Sequence, residues 1–191
     1  MSTLREYLLQ KRDALLARRA KASGEIASPH EISANVRAEG RSGVRRIRIR
    51  DFQILSDSPP DFAGYSFGPG SPELQLGVLG SCLTHIFLIQ AADRQVPLDS
   101  IEVDVRAQTD PRANRPGFEH IPVYPHSLAY TVRISSPASD AELTELHAAV
   151  ERVCPILNLL VNPQQIHGTV VRTSGETVTE ATVSAKTPAA R

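Results

Sequence analysis

The sequence predicts an α+β domain, and three observations carry that expectation. Leu74 to Ala92 is a helical stretch that is apolar almost all the way round. Ser100–Ala107 and Ser127–Ser135 alternate apolar and polar residues with the period of half-buried strands. Ser139-Asp140-Ala141-Glu142 is a capping box, with serine bonding forward and glutamate reaching back. It opens a second helix carrying Leu143, Leu146, Ala149, Val150 and Val153 on its core face.

The remaining elements follow in chain order. Thr3 to about Lys21 reads as a helix, with Leu4, Leu8, Leu15 and Leu16 at near-helical spacing among lysines and arginines. That charge run reads as a solvated face. Glu31–Ala38 and Val44–Leu55 are expected to pair as two arms of a hairpin around Glu39-Gly40-Arg41-Ser42-Gly43. Arg46, Arg48 and Arg50 share one face of the second arm and read as a solvent-facing stripe. Ser56–Gly70 is a proline- and glycine-rich loop. Ser71 is expected to cap the long helix, with Pro72 at its first position and Glu73 in its first turn. Gln75, Ser81, Thr84, His85 and Gln90 interrupt the apolar surface of that helix, so it reads as a protein core rather than a membrane span. A chain this size has trouble wrapping such a helix alone, which makes a second subunit an attractive cover. Cys154-Pro155 should end or kink the second helix. A last strand is expected over Ile166–Arg172, followed by a frayed tail. The domains are then an N-terminal helical extension (1–28), a main domain (29–172) and a flexible tail (173–191).

Composition narrows the function. The 191 residues are 41% apolar and 22% charged, ordinary for a soluble globular chain. Lysine plus arginine equals aspartate plus glutamate at 21 each, so no global field recruits nucleic acid or a membrane. The N-terminus lacks the apolar run of a signal peptide, and the cytoplasm is the expected compartment. Two cysteines make no disulfide scaffold. No CxxC or histidine spacing suggests a metal, no cofactor is expected, and Ser81 has no nucleophile elbow around it.

Cys82 and Cys154 therefore carry the candidate chemistry. Each is either a small buried hydrophobe or a reactive thiol. Cys82 lies mid-helix beside Gly80 and Ser81, small residues that let a backbone or substrate approach. Cys154 sits at a helix end before proline, where strained and accessible backbone is expected. His85, one turn after Cys82, reads either as a core histidine or as a cation favouring the thiolate, and the core reading is preferred.

Pro72-Glu73-Leu74, Gly80-Ser81-Cys82-Leu83 and the downstream Val153-Cys154-Pro155-Ile156-Leu157-Asn158 resemble the OsmC/Ohr superfamily over roughly Ile32 to Arg172. The resemblance implies an intertwined homodimer in which two central helices are enclosed by antiparallel-rich β-sheets. It implies a thiol-dependent peroxidase acting on organic hydroperoxides, with Cys82 attacking the peroxide and Cys154 resolving the sulfenic acid as a disulfide. An external dithiol or lipoyl group would reduce that bond. Arg41, in the Gly40-Arg41-Ser42-Gly43 turn, would hold the thiolate, and Glu73 would stand in for the family's supporting acid. Here the sequence departs: the acid is expected ten residues before the first cysteine, where Pro72 stands. Nine helical steps place Glu73 on the far side of a straight helix from Cys82. The alternative activity is that of a non-peroxidase relative binding a small apolar ligand in the dimer-interface cleft. A weaker third reading gives the basic N-terminal helix and the arginine stripe to RNA.

Overall fold

The computed structural model describes residues 3–22, 28–174 and 177–186. Helix α1 spans Leu4–Ala22. Strands β1 (Asn35–Ala38), β2 (Arg45–Ile49) and β3 (Phe52–Ser56) follow, and a 3-10 turn at Pro60–Phe62 leads to helix α2 (Ser71–Arg94). Then come β4 (Ser100–Gln108), β5 (His126–Ser135), α3 (Asp140–Val153), α4 (Pro155–Val161), β6 (Ile166–Ser174) and β7 (Thr177–Lys186). The sheets are antiparallel: β1-β2-β3, β4-β5 and β6-β7. The α+β class is as expected.

The core is one cluster around α2. Leu79, Leu83, Ile86 and Phe87 pack with Leu98 and with Leu146, Val150 and Cys154. The inward residues of β4 and β5 (Ile101, Val103, Val105, Tyr130, Val132, Ile134) close over it, as the alternating pattern requires. Gly80 is the point of closest approach, since a Cβ there would lie 3.3 Å from the Val105 side chain. Among the described residues α2 alone is long and apolar enough to cross a membrane, yet its buried side chains are this core. Only 28% of its apolar stretch is covered within the chain, and Val78 remains 46% exposed. The single chain does not wrap its central helix.

Several boundaries differ from expectation. The second hairpin arm is not one strand. Arg50 adopts a left-handed φ of +53°, and with Asp51 makes a two-residue turn that pairs Ile49 with Phe52. The arginine stripe therefore ends at Arg48. Arg46 donates to Glu39 and Gln53, Arg48 donates to the Arg50 carbonyl, and Arg50 lies over the Phe52 ring. Gly70, not Ser71, caps α2, because Glu73 reaches back three residues to accept from the Gly70 N–H at 2.6 Å. Within the stretch expected to fray, Thr177–Lys186 pairs antiparallel with β6. Residues 187–191 lie outside the described residues.

Helix α1 docks rather than projecting. Leu8 is buried against α2, and Arg5 and Arg19 make bidentate contacts with Asp99 and Asp93 at 2.6–3.0 Å. Asp57 is buried and organises the loop before α2, accepting from the N–H groups of Tyr65 (2.9 Å) and Phe67 (3.2 Å). Burial raises its carboxyl pKa. The N–H groups of Ser58, Tyr65 and Phe67, with the charge of Arg45, outweigh that and leave it below the ordinary range. Gly64 is needed in this loop, since a Cβ there would collide with the Ser58 carbonyl.

Candidate active site

Cys82 lies in the fourth turn of α2. Cys154 is at once the last cap of α3 and the first of α4, where Pro155 forbids continuation of the helix. Packing of α2 against α3 and α4 brings the two together although they are 72 residues apart in sequence. The Cys154 thiol donates toward the Cys82 sulfur at 3.5 Å, and both cysteines are free. A disulfide bond is about 2.0 Å long, so the two sulfurs are in contact and unbonded.

The two sulfurs are not equivalent. Cys154 is fully buried, against the expectation of an accessible site, and its φ of −69° and ψ of 113° are ordinary for a residue before proline. The bend at Cys154-Pro155 turns the thiol inward against α2 rather than straining the backbone. Burial pushes its pKa up, and the hydrogen bond and charge of Cys82 add to this. The Leu157 and Ile156 N–H groups of the first α4 turn act in the opposite sense. Cys82 is partly exposed and opens on a groove of about 550 Å³ whose lining includes Leu74, Val78 and Ile156.

The other predicted residues fall as follows. His85 is exposed and lines the Cys82 groove, correcting the core reading: the side of α2 one turn beyond Cys82 is uncovered. Glu73 also lines this groove, but no hydrogen bond among the described residues joins it to Cys82. Its side chain is swung back along the first turn by its bond to Gly70, and one carboxylate oxygen is occupied there. Arg41 is exposed in the β1–β2 turn and is not part of the groove. A separate cavity of about 680 Å³ beside the α2 N-terminus, reached by Asp57, Glu73 and Thr109, contains neither sulfur.

A polar cluster between β5 and α3 was not anticipated. Tyr130 donates to Glu151 Oε1 at 2.6 Å, and its hydroxyl lies 2.7 Å from His147 Nε2. The i, i+4 spacing of His147 and Glu151 is visible in sequence, but Tyr130 joins them only through the packing of β5 on α3. Among the described residues, no cluster of histidine, cysteine and acids is suited to hold a metal.

Comparison with known proteins agrees with this architecture. Residues 63–167, more than half of the chain, match the family model described as OsmC-like protein. No protein of curated function matches the sequence. Among solved structures, an OsmC-like protein from Mycoplasma pneumoniae aligns with a TM-score of 0.60 at 17% identity, over 71% of this chain and 90% of that one. An OsmC-like protein from Vibrio cholerae gives 0.52 at 16% identity, over 68% and 93%. An organic hydroperoxide resistance protein OsmC from Legionella pneumophila gives 0.51 at 15% identity, over 70% and 91%. At these identities the likeness is one of fold. With the paired cysteines on α2 and at the α3–α4 junction inside the matched span, the chain belongs to the OsmC-like family, within the OsmC/Ohr superfamily.

Proposed function

We propose that this chain is a homodimeric, cysteine-based peroxidase that reduces organic hydroperoxides at the expense of an external dithiol in a reducing cytoplasm. The reading rests on one observation: two free thiols 3.5 Å apart, one of them opening on an apolar groove. The name of the Legionella relative points to the same substrate class. The Cys82 thiolate attacks the terminal peroxide oxygen. A sulfur–oxygen bond forms, the oxygen–oxygen bond breaks, and the alkoxide takes a proton to leave as alcohol. Cys154 then attacks the Cys82 sulfenic sulfur, closing the disulfide and expelling water. A dithiol, such as a dihydrolipoyl group, attacks Cys82, because Cys154 offers no surface to solvent.

The uncovered flank of α2 and the exposed Val36, Phe52 and Ile54 of the first sheet favour a twin subunit as cover. In that assembly Arg41 from the exposed turn is the candidate cation for the Cys82 thiolate. Glu73 serves as helix cap and groove wall. The test is consumption of an organic hydroperoxide with dihydrolipoamide by wild type, Cys82→Ser and Cys154→Ser. Cys82→Ser is expected to lose turnover entirely, and Cys154→Ser to accumulate sulfenic acid. Equal consumption by wild type and Cys82→Ser would refute the peroxidase and leave the groove as a binding cleft for a small apolar molecule.

A further inference from the structure

Pro155 has no N–H to give, and the helical run breaks at Cys154. The break strands the last carbonyls of α3, which no N–H of a following turn can reach. One side chain takes up two carbonyls there. Asn158 Nδ2 donates to the carbonyl of Glu151, in the last turn of α3, at 3.0 Å, and to that of Cys154 at 2.9 Å. Both partners only accept, so the amide presents its NH2 to them, with one hydrogen for each. The main-chain N–H of Asn158 donates to the Cys154 carbonyl as well, at 3.0 Å.

Cys154 is therefore held at every polar group. Its N–H is on the Val150 carbonyl at 2.9 Å, its carbonyl accepts twice from Asn158, and its thiol is directed at Cys82. Glu151 is tethered from a second side, because its carboxylate accepts from Tyr130 of β5 at 2.6 Å. The choice of residue is itself informative. Asn158 is the one polar side chain in Pro155–Val161, and asparagine is a poor helix former whose amide competes for the backbone. Its bonds across the break offset that weakness.

We propose that Asn158 is a positioning residue for disulfide exchange: it clamps the α3–α4 break so that the Cys154 sulfur faces Cys82 before the bond exists. The inference rests on the dithiol reading above, and not on peroxide as the oxidant. Closure takes two electrons and two protons from the thiols and joins sulfurs that lie 3.5 Å apart when reduced. With the clamp in place, the reduced chain has little freedom left to lose on closure. Without it, the reduced break gains conformers that the bonded one cannot adopt, and the disulfide is disfavoured.

The test sets wild type, Asn158→Ala and Asn158→Asp in buffers of reduced and oxidised glutathione, where the Cys82–Cys154 bond opens to two thiols as two glutathione thiols join. Asn158→Asp keeps the size of the side chain but turns acceptors toward the two carbonyls, so it separates donation from packing. In both variants the equilibrium constant for the protein disulfide is expected to fall by about tenfold, the weight of one net hydrogen bond. Linkage gives a second readout that needs no redox buffer. The folding equilibrium in urea should fall further in the reduced chain than in the oxidised one, by the same factor, because the bond replaces the clamp once formed. A residue that only supports the fold would weaken both redox forms equally and leave the exchange constant unchanged. That result overturns the clamp and leaves the dithiol reading standing. A wild-type chain that forms no Cys82–Cys154 bond in oxidised glutathione overturns both.

Discussion

Leu83→Ala tests whether the thiol pair stands on a packed core. Leu83 follows Cys82 on α2, is 0% exposed, and belongs to the cluster formed with Phe87, Leu98, Leu146 and Val150. The substitution removes three carbons, and at about 0.8 kcal/mol per buried methylene-sized group the transfer loss alone is about 2.4 kcal/mol. The surrounding helices and strands cannot close fully on the void, and a cavity term brings the expected loss to about 3–4 kcal/mol. In a chain of this length each kcal/mol moves the melting temperature by roughly 2–4 °C, so a fall of about 6–16 °C is expected. The assay is urea unfolding of the fully reduced protein at several concentrations, with the m-value checked for constancy. A loss below about 1 kcal/mol would mean that Leu83 is not enclosed as described, and the account of what positions the sulfurs would fail with it.

Three further outcomes are expected. Ser139→Ala removes the oxygen that accepts from the Glu142 N–H at 3.3 Å and donates to Glu142 Oε2 at 2.7 Å. It should cost about 1 kcal/mol in unfolding experiments, and an unchanged midpoint would deny the cap a role. Acid should release α1. The Arg19 bond holds Asp93, and the Arg5 bond holds Asp99, below the usual carboxylate pKa, so their stabilisation is complete above the unfolded value and lost as pH falls through the folded one. Amide exchange within Leu4–Ala22 should therefore accelerate below about pH 4 before the core responds, whereas simultaneous loss of both would contradict separate docking. Arg41→Ala is expected to lower kcat/KM for hydroperoxide by at least about tenfold while leaving unfolding unchanged. Full activity in that variant would remove Arg41 from the site.

What could be read from the sequence divides by range. The α2 helix, the alternation in β4 and β5, the Ser139–Glu142 capping box and the break at Cys154-Pro155 are all written in near neighbours, and each stands as expected. Failures begin where a conformation depends on something further away or on a rare backbone state. Nothing in Arg50-Asp51 announces a left-handed arginine, because the usual Asn-Gly or Asp-Gly signal is absent. The cap shifted from Ser71 to Gly70 because the reach of Glu73 outweighed the preference for serine. His85 and Cys154 exchanged their expected exposures, since accessibility is decided by what lies opposite: open groove for one, α2 for the other. The proximity of the sulfurs followed from resemblance alone. No spacing rule joins residues 72 positions apart, nor brings Tyr130 to α3.

Cys154 is the hinge pin between α3 and α4, so a bond from it to Cys82 would fasten three helices at one point. In the chain-entropy model, tying a loop of 72 residues hampers the unfolded chain by about 4 kcal/mol. The oxidised molecule would then resist heat, urea and proteases that the reduced one does not. Each turn of such a cycle would alternate a slackened and a riveted body, and the durability of the protein in a cell would register how recently it had been oxidised.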